Sequence, residues 1–390
     1  MVSTPLRFKM NNKQLLDHSI HHKQIPRIPT MYRGDPATNQ KLLKYFGLKD
    51  IKNQWKELIQ LIGADNFSGG EVLGTFHSYV PKYTGPEFDS IYDPNHFFIW
   101  GIKPVRIKVA GTNEVVYHKN PPLYDTGRTD ELKSYRFPSP DWFDYTVFKI
   151  VSEAIGEDLL DQEEIKANDL ESSDEHFLSL YCINCVFMTS MYMRGFDKML
   201  MDLILNKRYS ENLIGKIGEV MVEICRRGLK SIGKMIDIYG IWDDFATQDG
   251  LMISVDLWRR YYKPWTKKLV NEAKKYNLLV CFHICGSCVE IIPDLIEMGV
   301  EILDPVQVSA KNMELSNLKK LFGKNICFHG GIDGQKLIPL GSPKQIKEEV
   351  NRIKDIYMDG SGGIIMGPSH HITPDTPIKN ILAIYKSEGD

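Results

Sequence analysis

His283 and Cys285 stand two residues apart, where the apolar run 278–284 gives way to Cys285-Gly286-Ser287. On a strand that spacing turns both side chains to one face, and at a strand exit both can converge on a single ion. Imidazole and thiolate are preferred zinc ligands, and catalytic zinc usually takes three protein ligands with a fourth position open. The competing reading makes His283 a hydrogen-bonding strand cap and Cys285 a small buried hydrophobe. Gly286, Ser287 and Cys288 then begin a helix, whose N-terminus could bind an anion or depress a thiol pKa.

The exits of four other apolar runs are also polar. The run 236–242 leads into Asp243 and Asp244 with Gln248 close by, and 300–303 leads into Asp304-Pro305-Val306-Gln307. The run 326–329 leads into Gly330-Gly331-Ile332-Asp333-Gly334-Gln335, and 363–366 leads into Ser369-His370-His371. Asp243 and Asp244 suit a general acid/base or a substrate clamp, against the plainer role of helix cap and solvated neighbour. Gln307 and Asp333 join them as catalytic candidates. Gly330 and Gly331 would let backbone approach a bound cofactor beside Gln335, although turn chemistry alone also explains two glycines. Chemistry-bearing residues at consecutive run exits argue for an enzyme. The Cys182/Cys185 and Cys285/Cys288 pairs lie 100 positions apart, too far for a zinc ribbon. Cys182, Cys185, Cys225, Cys281 and Cys327 read as core packing, and His18, His21 and His22 as solvated residues of a polar extension.

The elements that must position these groups alternate. Short apolar runs from 236 onward are separated by segments of helical period, the pattern of parallel βα units. Ser254 and Ser342 are N-cap candidates, Pro343 fits a first helical position, and Pro264 should divide the helix that begins after Ser254. Upstream, 51–62, 144–155 and 210–230 have helical spacing. Candidate strands lie at 66–72 and 176–183, and 97–117 alternates about Gly111-Thr112-Asn113 as a hairpin insertion. Such a chain predicts a (β/α)8 TIM barrel, residues 36–390, behind an N-terminal extension 1–35. A doubly wound open sheet is the alternative.

Composition narrows the partners. With 48 basic and 50 acidic residues the net charge is -2, which leaves no broad basic footprint for nucleic acid or an anionic membrane. No apolar stretch approaches the roughly 20 residues that span a bilayer, and Asn11, Asn12 and Lys13 interrupt any signal-peptide core. The expectation is a cytoplasmic protein, with association into a homo-oligomer left open. Seven cysteines, an odd and sparse set, argue against a disulfide framework.

From Asp243 onward the sequence resembles the uroporphyrinogen decarboxylase superfamily, which includes zinc methyltransferases that work with corrinoid proteins. The resemblance is carried by DDFATQDGLMIS at 243–254, HICGS at 283–287, GVEILDPVQVSA at 299–310, LKKLFGKNICFHGGIDGQ at 318–335 and GPSHHITPDTPIKN at 367–380. It continues more weakly through PSPDWFDY at 138–145 and MRGFDKMLMDL at 193–203. Decarboxylases of the family carry an N-terminal Met-Arg-Gln-Ala-Gly-Arg loop for the substrate's carboxylates. This chain has RIPTMYRGDP at 27–36, which keeps Arg27 and Arg33 without concentrated charge. The methyltransferase branch is similar through His283 and Cys285, and its last zinc ligand, a cysteine there, aligns with His370. A His283, Cys285, His370 set would leave zinc with a net charge near plus one. The resemblance thus implies zinc, a corrinoid (cobalamin) on a partner protein, and a small methyl donor or acceptor. A decarboxylase of a smaller carboxylated ligand and a non-catalytic tetrapyrrole-binding or partner-binding barrel are the other two readings.

Overall fold

The computed structural model describes residues 10–65, 77–87, 97–103, 105–109, 112–116, 119–151, 164–174, 177–181 and 185–386. Its strands in chain order are β1 (His77–Tyr83), β2 (Val105–Val109), β3 (Thr112–Val116), β4 (Phe143–Val151), β5 (Glu164–Lys166) and β6 (Leu178–Tyr181). There follow β7 (Ile238–Trp242), β8 (Leu279–His283), β9 (Ile302–Val306), β10 (Cys327–Ile332) and β11 (Ile364–Pro368). One nine-stranded sheet runs β11-β10-β9-β8-β7-β6-β1-β4-β5, while β2 and β3 form a separate antiparallel hairpin. Neighbours from β11 through β6 to β1 are parallel, and β4 and β5 add antiparallel strands beyond β1. On the far side of β11, Thr30 bridges Met366 in parallel, with Met31 N donating to Met366 O at 2.8 Å. With that segment the parallel staves are those of a TIM barrel.

The stave sequences explain their position. β9, β10 and β11 are buried along their whole length, as near-continuous apolar strands must be when covered on both faces. Outside them, the helix Lys207–Ile232 turns one apolar stripe inward, from Tyr209 and Leu213 to Leu229 and Ile232. Ser254 caps the helix Val255–Tyr261, accepting from Leu257 N at 3.2 Å, and a new helix, Lys263–Lys274, starts with Pro264 in its first turn. Ser342 makes a capping box with Gln345 at the start of Pro343–Tyr357. Among the described residues no helix is long and apolar enough to cross a membrane.

Two expectations need correction. Residues 144–155, expected to be helical, contain most of β4, which pairs antiparallel with β1 and buries Phe148. Aromatic and β-branched residues suit a half-buried pleat better than a helix. The N-terminal extension is also no solvated tail. Its helix Asn12–Ile20 closes the N-terminal end of the barrel, packing Leu16 and Ile20 against Ile238, Cys281, Ile302, Cys327 and Ile365. Each buried aliphatic there contributes about 1.5–3 kcal/mol. Ser19 ties the plug to β11 by donating to Ile364 O at 2.6 Å. Of its histidines only His21 is exposed, and His18 and His22 are half-buried. The strand expected at 66–72 lies outside the described residues.

Candidate metal centre

The C-terminal ends of β7 and β8 are held in register, Trp242 opposite His283. Two residues beyond each lie Asp244 and Cys285, and Asp244 Oδ1 accepts from Cys285 N at 2.7 Å. Asp244, His283 and Cys285 each bring one ligand atom to within 4.8 Å of the others. His283 Nε2 is 3.6 Å from Cys285 Sγ. A tetrahedral zinc with bonds of about 2.0–2.1 Å to nitrogen and about 2.3 Å to sulfur needs those two atoms about 3.6 Å apart. The donor set and the spacing therefore fit zinc.

Each ligand is held by its surroundings. His283 Nδ1 lies 2.7 Å from Asp304 Oδ2, which leaves Nε2 to face the cysteine. Gly286 takes a φ of +93°, the left-handed turn that lifts Cys285 off the strand. Its N–H donates to Gln307 Oε1 at 2.9 Å, and Gln248 Nε2 donates to the same oxygen at 3.1 Å. The Trp242 ring lies beside His283, 6.3 Å between centroids, and Phe97 packs against Trp242 at 6.4 Å.

Residues 182–387, more than half of the chain, match the model of the family described as "Uroporphyrinogen decarboxylase (URO-D)". The chain belongs to the uroporphyrinogen decarboxylase family. A curated relative, the uroporphyrinogen decarboxylase of Koribacter versatilis (strain Ellin345), is 23% identical over 176 residues. That alignment covers 45% of this chain and 46% of the relative, so the chain matches under half of that protein's length. Among solved structures, a methyltransferase from Methanosarcina mazei superposes with a TM-score of 0.59 at 15% identity, covering 96% of this chain and 97% of the other. At that identity the likeness is one of fold.

Within this member of the uroporphyrinogen decarboxylase family, the remaining expected site residues separate. Asp243 is 5% exposed and points away from the trio, accepting from Phe187 N at 2.8 Å and Met188 N at 3.0 Å in the first turn of the helix Val186–Arg194. Burial outweighs those two N–H groups, which favour the charged form, and its carboxyl is raised to about 8. Asp333 caps its own turn, accepting from Gln335 N at 2.8 Å, and the Gln335 side chain is exposed. Packing requires glycine at both 330 and 331: a Cβ on Gly330 would meet Val306 N at 3.2 Å, and one on Gly331 would meet Leu315 Cδ1 at 2.6 Å. Ser369 Oγ accepts from Gly334 N at 3.0 Å. His370 is exposed, edge-on to His371, and does not belong to the group formed by Asp244, His283 and Cys285.

Burial lifts the Cys288 thiol to about 12, opposite in direction to the lowering that a helix N-terminus could give. Cys185, Cys225, Cys281 and Cys327 are buried as expected, and Cys182 lies outside the described residues. Three residues that the sequence analysis gave no role at the metal site, Asp304, Arg33 and His329, contribute to it. Asp304 is 7% exposed and meets His283, His329 Nδ1 at 2.5 Å and Arg33 Nη1 at 3.4 Å. Burial alone would raise its carboxyl, but the charges on His329, Arg33 and His283 hold it well below the usual range. Burial lowers His283 in turn, and Asp304 outweighs it and carries the imidazole well above its ordinary value. The available signal was the Asp304 position at a strand exit. Nothing local marks Arg33 or His329 as its partners.

Proposed function

We propose that the protein is a zinc-dependent methyltransferase moving a methyl group between a small methylated substrate or thiol and a corrinoid protein, with Asp244, His283 and Cys285 as the zinc ligands. The observation that carries this reading is the convergence of carboxylate, imidazole and thiol at adjacent strand ends, with the nitrogen-to-sulfur spacing that tetrahedral zinc requires. The corrinoid partner rests on the resemblance to the methyltransferase branch.

When bound, zinc would supply Lewis acidity, holding a thiol as its thiolate or polarising the atom that carries the methyl group. Asp244 and Cys285 bring two negative charges when deprotonated, so the set neutralises the ion, where His283, Cys285 and His370 would leave it near plus one. A neutral set favours a reactive nucleophile over activation of a leaving group. His283 presents Nε2 because Asp304 occupies Nδ1, and Asp244 holds the Cys285 backbone as well as offering a ligand oxygen. Trp242, backed by Phe97, places aromatic surface beside His283, where it can exclude water.

Decarboxylation of uroporphyrinogen is disfavoured by the engagement of Arg27 and Arg33. Arg27 is bidentate to Asp65, at 2.6 and 2.5 Å, and Arg33 donates to Asp304 and to His371 Nε2. Metal analysis of the purified chain tests the proposal. It should contain about one zinc per chain, lose it in Cys285→Ser and Asp244→Ala, and keep it in His370→Ala. Full metal content in Cys285→Ser would remove the site. Loss in His370→Ala with retention in Asp244→Ala would return the third ligand to His370. The group transfer is read from loss of methylcobalamin absorbance with a thiol acceptor. A zinc-loaded chain that leaves methylcobalamin unchanged across a panel of small thiols would overturn the corrinoid assignment.

A further inference from the structure

Asp304 belongs neither to the ligand trio nor to a helix cap. It lies within β9, and groups from three separate parts of the chain meet its carboxylate: His283 from β8, His329 from β10 and Arg33 from the segment after the Thr30 bridge. One cationic partner would suffice to bury a carboxylate. Three fix both of its oxygens, because His329 lies at Oδ1 while His283 and Arg33 share Oδ2. Arg33 is itself tied to the loop after β11, donating from Nε to His371 Nε2 at 3.0 Å. The carboxylate is thus anchored from the strands on both sides of β9.

We propose that Asp304 is the positioning residue of the metal site, setting the tautomer and ring orientation of His283, with His329 and Arg33 holding Asp304 in place. The inference rests on the zinc reading above. A proton kept on Nδ1 leaves the lone pair on Nε2, the nitrogen that faces Cys285 Sγ. Carboxylates that bind the outer nitrogen of a ligand histidine typically change metal affinity by 10–100-fold when removed. Asp304→Asn keeps the shape and an acceptor oxygen but removes the charge.

The experiment uses the full chain stripped of metal. It is titrated with Zn²⁺ against a chromogenic chelator and with Co²⁺ followed by visible absorption, for wild type, Asp304→Asn and His329→Gln. Asp304→Asn should bind zinc roughly 10–100-fold more weakly and shift the cobalt bands, with an unchanged far-UV circular dichroism spectrum. His329→Gln, which touches no ligand, should weaken binding less. If wild type fails to bind either ion, the zinc reading itself is lost. If wild type binds, and folded Asp304→Asn matches its affinity within twofold with the same cobalt spectrum, Asp304 positions nothing. Should Asp304→Asn not fold, His329→Gln decides: weaker binding with shifted bands supports the inference, and wild-type behaviour overturns it.

Discussion

Replacing Gly286 with alanine should damage fold and metal site together, by amounts the geometry sets. At φ +93° an L-residue costs about 1–2 kcal/mol in backbone strain. The new Cβ would also lie 2.5 Å from Thr247 O and 2.9 Å from Thr247 C, backbone atoms that cannot swing aside. Moving that segment breaks the Ser287 N to Thr247 O bond of 2.8 Å and strains the Gly286 N to Gln307 Oε1 bond, about 1 kcal/mol each. The expected loss is therefore about 3–4 kcal/mol, with Cys285 Sγ displaced from His283 and zinc affinity at least about tenfold lower. Gly360→Ala is the control, since Gly360 has φ +90° but nothing within 4 Å of its Cβ position. It should cost only the strain, about 1–2 kcal/mol, and leave zinc binding alone. Urea unfolding and zinc competition measure both quantities. Equal destabilisation of the two variants, with zinc affinity intact in Gly286→Ala, would refute the clash argument.

Asp243→Ala should destabilise the chain by about 2–4 kcal/mol in urea, because it strips acceptors from the buried Phe187 and Met188 N–H groups; a loss below about 0.5 kcal/mol would rule out that cap. Asp294 accepts from Arg259 Nη2 at 2.9 Å and Lys263 Nζ at 2.6 Å, and although burial raises its pKa, these partners bring it below the ordinary carboxylate value. Its stabilisation is thus complete above an unfolded pKa of about 3.9 and is lost as pH falls toward the lower native value. Unfolding free energy should fall less steeply between about pH 5 and pH 2 in Asp294→Asn than in wild type, and parallel curves would contradict the pairing. Uroporphyrinogen should not be decarboxylated; carbon dioxide release at about 1 per second or faster would restore the decarboxylase reading.

The parallel staves were readable because burial on both faces leaves little room for polar residues. Their ends were less so, with 300–303 read where Ile302–Val306 forms the strand. β4 was misread for a physical reason. Tyr145, Phe148 and Val151 recur at a spacing of three, which satisfies a helical template, while Thr146, Val147, Ile150 and Val151 are β-branched. Its pairing with β1, more than 60 residues earlier, decided the case, and no local pattern carries that. The N-terminal helix was hidden by polar composition, although Leu15, Leu16, Ser19 and Ile20 lie on one face at the spacing of a docking stripe.

Aspartates at the stave exits are chemically alike, and what separates them is which donors reach each one. Asp243 receives two N–H groups of a helix 55 residues upstream, Asp333 receives those of its own turn, Asp304 meets the His283 imidazole and the Arg33 guanidinium at one oxygen and an ion-pair contact from His329 at the other, and Asp244 receives the Cys285 N–H. Most of these partners are set by tertiary contacts that spacing does not reveal. The link from Asp244 to Cys285 is different. Consecutive parallel staves are normally neighbours, and aligning the ends of 236–242 and 278–284 puts Asp244 within one residue of Cys285. Trp242 opposite His283 is the observed register. His370 instead leaves β11, which β9 and β10 separate from β8, so as a ligand it would have to reach over two staves while Asp244 lies beside the cysteine.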